Sequence, residues 1–177
     1  MQKYEFAALT AKSDMLMGLS YPAVFGILIL AAQTGFFYSG FNKILKEHYL
    51  LTILIMFSIL YTGHLLIKRI KKSLVKNYLA KLDGTDIKIW ESGKEIMCGR
   101  VVFCRVKIED TKISRSVTVE IHTDTDKISF RSRPEEYESV TGVVNCNPFG
   151  TGNRSDMETI FSLGERIKSV IEEQAAE

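Results

Sequence analysis

The chain has 177 residues, enough for one or two structural units, and 23 Lys/Arg stand against 21 Asp/Glu. That near-balance hides a partition: residues 1–82 hold ten basic and three acidic side chains, residues 83–177 thirteen and eighteen. The positive charge abuts apolar stretches and does not alternate with aromatics in a polar domain, so nucleic acid is excluded as the expected partner.

Residues 1–14, M-Q-K-Y-E-F-A-A-L-T-A-K-S-D, mix both signs of charge and read as a polar N-terminal segment. They match neither a cleaved secretory signal nor a transit peptide. Ser13 or Asp14 is expected to cap the helix that follows. Residues 15–38 carry no formal charge and are long enough to cross a bilayer core of about 30 Å. Residues 49–67 form a second uncharged run of nineteen. The ten residues between them force an antiparallel hairpin, and Phe36, Phe37, Tyr38, Phe41 and Tyr49 gather at that end as an interfacial belt. Gly26, Ala31 and Gly35 on the first span, and Ser58 and Thr62 on the second, offer small surfaces for helix packing.

The second apolar run passes directly into Lys68, Arg69, Lys71, Lys72, Lys76 and Lys81 with no acid among them. Apolar residues at 67, 70, 74, 78 and 82 keep one helical face, so residues 68–82 are expected to form a basic amphipathic helix. Lys68, Arg69, Lys71, Lys72 and Lys76 would meet the headgroups of anionic phospholipids. The same charge places both termini on the cytoplasmic or matrix side. His64, one turn before this run, is expected at the interface without a proton-relay role.

From Asp83-Gly84 the period changes to alternation. Residues 87–90, 100–108, 115–122 and 127–132 read as strands joined by polar turns, with Val102, Cys104, Val106 and Ile108 sharing one face and residues 137–145 adding a weaker strand. This is an antiparallel meander with one buried face. Ser155 and Glu158 fit a capping box opening a C-terminal helix with an apolar stripe. Cys98, Cys104 and Cys146 form no C-x-x-C pair and read as small buried hydrophobes, so no structural zinc is expected.

One stretch ahead of that helix could carry binding chemistry. Gly150, Gly152 and Arg154 could cradle an anion through backbone N–H groups and the helix dipole. No Walker loop, dinucleotide fingerprint, G-x-S-x-G or H-E-x-x-H is present, so catalysis is not expected.

The fold class is therefore an α+β membrane protein: a two-helix transmembrane hairpin, a juxtamembrane helix, and a small meander over residues 83–177 closed by a C-terminal helix. This order of parts resembles the pleckstrin-homology-like membrane proteins of bacteria, and is similar in layout to plastid photosystem I assembly proteins and two-span mitochondrial respiratory assembly factors. The resemblance implies a non-enzymatic accessory or assembly subunit without a cofactor. Its partners would be other membrane protein subunits, and its place the mitochondrial inner membrane in preference to a bacterial plasma membrane. The layout also resembles bacterial defence effectors with two spans and a small β-barrel, which implies instead a sensor of an anionic nucleotide.

Overall fold

A computed structural model describes residues 1–38, 49–110, 115–138, 144–146 and 150–175. Among these residues the elements in order are β1 (Gln2–Thr10), α1 (Ala11–Tyr38), α2 (Tyr49–Leu74), β2 (Lys76–Asp83), β3 (Asp86–Glu91), β4 (Lys94–Asp110), β5 (Arg115–Thr123), β6 (Lys127–Ser132), β7 (Glu136–Glu138), β8 (Val144–Cys146) and α3 (Arg154–Ala175). They form two compact units, Met1–Asp14 with Val75–Glu177, and Met15–Leu74.

In the first unit β1 to β6 close into an antiparallel barrel in sequence order, β1 meeting β6. Two strands here differ from expectation. Residues 2–10 are β1, whose Phe6 and Ala8 point into the core, and not a polar segment. The expected helix over 68–82 stops at Leu74, and Lys76 begins β2, with Tyr78, Ala80 and Leu82 inward. The reason is arithmetic: a step of four satisfies both a helical and a two-residue period, so positions 74, 78 and 82 fit either. Ala80 between them decides for the strand, which pairs with β1 from Gln2↔Leu82 to Ala8↔Lys76. The helical pair is thus an insertion in a β1–β2 hairpin.

β3 turns into β4 through Ser92 and Gly93, at φ 50° and 88°, the two positive angles of a type I′ hairpin. β4 is long enough to serve both halves of the barrel, pairing with β3 up to Arg100 and with β5 from Val101. A bulge between Val101 and Phe103 makes the corner and shifts which residues face inward. Val101 and Cys104 are buried while Val102 is 62% exposed, so Val102 does not share the face of Cys104, and Ile108 at the strand's far end is 45% exposed. Residues 137–145, expected as one strand, instead contribute to the two short strands β7 and β8, which pair with each other.

Phe6, Tyr78 and Phe130 pack edge-on or offset at ring separations of 4.8 to 5.9 Å inside the barrel. α3 buries Met157, Ile160, Leu163, Ile167 and Val170 against the same core, a stripe at helical spacing. A Cβ on Gly164 would stand 2.5 Å from Val106, so only glycine lets the helix approach this closely. The cap lies earlier than the sequence suggests. Asn153 accepts from Met157 N–H and Asp156 reaches back to Asn153 N–H, while Glu158 pairs with Arg154.

In the second unit, α1 and α2 each contain a stretch of 25 residues long and apolar enough to cross a membrane, at mean hydropathy 2.0 and 2.1. Gly63 of α2 meets the Phe25 ring of α1, where a Cβ would stand 2.5 Å from the ring. The small residues singled out for packing lie elsewhere. Ala31, Gly35, Ser58 and Thr62 are exposed, and nothing lies within 4 Å of a Cβ placed on Gly26 or Gly35. A large aromatic facing one glycine takes the role that small-x-x-x-small pairs were expected to fill.

Candidate functional site

The buried residues of β1, β2 and β3 alternate with a second set that faces outward. Across the three strands that outer face carries the rows Lys3, Lys81, Lys88 and Glu5, Leu79, Trp90, then Ala7 beside Asn77. Between this face and the start of α3 lies a groove of about 780 Å³. Ala7 keeps its floor low and Trp90 walls it, with Glu5, Lys81, Asn153 and Asp156 as polar groups. Lys81 Nζ stands 4.7 Å over the Trp90 ring, a cation–π contact. Asp156 is already engaged, one carboxylate oxygen accepting from Ala7 N–H at 3.0 Å and the other from Asn153 N–H at 3.2 Å. The groove therefore offers an aromatic face and a few hydrogen-bonding groups side by side.

A second cluster lies where β6 passes the start of α1. Arg131 donates to Asp14 at 2.9 Å and to Glu109 at 2.6 Å, and Arg133 reaches Asp14 at 3.3 Å. Glu109 is held below the usual carboxylate range by the hydrogen bond from Lys107 at 2.7 Å, with the Arg131 charge adding to it. Burial lowers the Arg133 guanidinium, against which Asp14 acts. On the neighbouring stretch, Lys127 and His122 both bond Glu120 and hold its carboxyl low.

The glycine loop does not form the expected cradle. Thr151 and Gly152 give their N–H groups to the carbonyl of Arg133, and Gly152 returns a carbonyl to Glu135 N–H. Gly150 is needed because a Cβ there would strike the backbone of Glu135 and Pro134. Arg154 spends its charge on Glu158 at 2.9 Å, one turn along. At the helix start the Asp156 carboxylate takes Asn153 N–H, so a negative group of the chain itself already stands there.

The basic residues divide in two. Lys68, Arg69 and Lys72 are exposed on the last turns of α2, where Lys71 also lies, whereas Lys76 is exposed at the start of β2, opposite Ala8. His64 is exposed. Cys104 is buried, but Cys98 is exposed in β4 opposite Lys88, which departs from the reading of the cysteines as buried; the side chain of Cys146 lies outside the described residues. The loop at 39–48 and the aromatic side chains around it lie outside them as well. Among the described residues no group of three His, Cys, Asp or Glu side chains could hold a metal ion.

Sequence reasoning missed both the groove and the charge cluster. Each joins residues far apart in the chain, Ala7 to Asp156 and Asp14 to Arg131, and both depend on β1. The single Trp in a strand, with a lysine two register positions away on the neighbouring strand, was the available signal. No family model, no curated protein and no solved structure matches this chain.

Proposed function

We propose that this chain is an integral membrane protein that acts by binding, as an accessory or assembly subunit of a larger membrane complex. The observation that carries the reading is the outward surface of α1 and α2. Ile27, Leu30, Leu54, Phe57 and Tyr61 are each more than 60% exposed, and only 6% and 11% of the two apolar windows are buried. A continuous surface of that kind exceeds what soluble proteins leave in water and fits a bilayer. Lys68, Arg69 and Lys72 directly after the apolar run favour the cytoplasmic or matrix side for the barrel.

The barrel with its C-terminal helix is pleckstrin-homology-like in its order of parts. Its interior is filled by side chains such as Phe130, Ile121 and Ile160, so binding falls to its outer surfaces, among them the Trp90 groove. The other reading of the sequence, a sensor of an anionic nucleotide, loses support where the Thr151 and Gly152 donors are already engaged.

Extraction from native membrane in mild detergent, with the chain at near-native expression, tests the proposal. A native gel should carry it in an assembly larger than itself, and crosslinking with mass spectrometry should place partner peptides on it. Migration solely as a free monomer, without crosslinked partners, would overturn the reading.

A further inference from the structure

The barrel seam is narrow. β1 pairs with β2 along seven residues, but with β6 only through Leu9↔Arg131 and Thr10↔Phe130. Beyond those two pairs the outer edge of β1 is held by a side chain, Asp156 accepting from Ala7 N–H. β1 then runs without a loop into α1, whose first turn is capped by Thr10 Oγ1 accepting from Ser13 N–H at 3.4 Å.

Arg131 takes part in both features. Its backbone pairs with Leu9 across the seam, and its guanidinium bonds Asp14 in the first turn of α1, across 117 residues of sequence. Arg133 adds a second contact to the same carboxylate, and Glu109 on β4 fixes the other nitrogen of Arg131. These groups are largely shielded, with side-chain exposures of 17% for Asp14, 26% for Arg131 and 20% for Arg133. Shielding makes the contacts stronger than a surface ion pair and makes losing one partner costly. Asp14 Oδ1 lies 3.2 Å from Arg133 Nη2, whereas Arg131 Nε is buried without a hydrogen-bond partner among the described residues. Asp14 is the last residue of the barrel unit, and Met15 opens the helical one.

We propose that Asp14, Arg131 and Arg133 form the pin of a latch that keeps the β1–β6 seam shut, and that α1, through Asp14, is the lever that releases it. Withdrawing Asp14 leaves the Arg131 guanidinium held by Glu109 on β4 alone, cuts its tie to the residues that follow β1, and leaves two backbone pairs to hold β1 to β6. The seam then opens locally while β2 to β5 keep their ladders, which is sub-global opening. A displacement of the base of α1 thus becomes exposure of the β1 edge. This holds whether or not the chain joins a larger complex.

Hydrogen exchange read by mass spectrometry on the full chain in nanodiscs tests the latch. Asp14→Asn should accelerate exchange in residues 7–10 and 130–132 about tenfold over the unaltered chain, and leave 87–89 unchanged. Arg133→Gln, which removes one contact and keeps Arg131 on Asp14, should give a smaller increase confined to the same two segments. That variant decides the matter if Asp14→Asn fails to fold. Unchanged exchange at the seam would overturn the proposal, and so would equal acceleration in 87–89, since that would reduce the cluster to a contribution to global stability.

Discussion

Cys104 lies 3.6 Å from the carbonyl of Gly164 on α3, and burial pushes its thiol up to about 11, with Lys168 pulling it down and Glu165 adding to the rise. A thiol raised in the native state stays protonated there while the unfolded chain begins to ionise at its ordinary value near 9. The stability this group contributes is therefore complete below pH 9 and is lost as pH climbs toward 11, by about 1.4 kcal/mol per unit within that window. Thermal melting followed by the fluorescence of Trp90, the one Trp of the chain, should show the unaltered protein losing more stability between pH 9 and 11 than Cys104→Val. Parallel losses in the two would refute the assignment of the effect to this thiol. Cys98 lies six residues away on the same strand and is exposed.

Those two cysteines have different environments because of one extra residue, and the bulge that supplies it is best tested at the level of β4. With Val101 inward and Val102 outward, Val101→Thr should cost about 1–3 kcal/mol by placing a hydroxyl in the core, and Val102→Thr less than about 0.5 kcal/mol. Denaturant unfolding of both variants checks this, and the opposite ranking would mean that β4 runs without the shift. Strict alternation through residues 100–108 reads Val102 as core because a bulge has no period of its own. The same limit applied at β1 and β2. The turns at Gly84 and Ser92-Gly93, the strands β3, β5 and β6, and the stripe of α3 are local patterns and were legible. β1 was not, because Glu5 and two alanines blur its alternation and its partner lies some seventy residues on. β2 was masked by apolar steps of four and by lysines that suit a helix leaving a membrane. Since the groove and the latch are both built on β1, their geometry was hidden with it.

For the whole molecule the misplaced boundary at Leu74 sharpens what the basic collar must do. Of the six basic residues between 68 and 81, Lys76 and Lys81 belong to β2, Lys81 lying over Trp90. That leaves Lys68, Arg69, Lys71 and Lys72 as the whole of the positive charge between the apolar run of α2 and the barrel. The linker between the helices carries Lys43, Lys46 and Glu47, so removing four charges from the collar abolishes the imbalance that orients a hairpin. Each basic side chain near an anionic leaflet is worth about 1 kcal/mol, and the four together about 4 kcal/mol at low salt, with less as the Debye length shortens to about 8 Å. Apolar insertion does not depend on them, because the exposed Leu, Ile and Phe side chains of both helices drive it. Replacing all four with Gln should therefore leave the chain in the membrane fraction but in mixed orientation. With native cysteines replaced, an impermeant thiol reagent applied to sealed vesicles should label a cysteine at Asn42 and spare one at Glu177 in the parent, and label both in part in the four-Gln variant. Unchanged, one-sided labelling in that variant would show that orientation is set elsewhere, with the collar no more than the solvated end of α2.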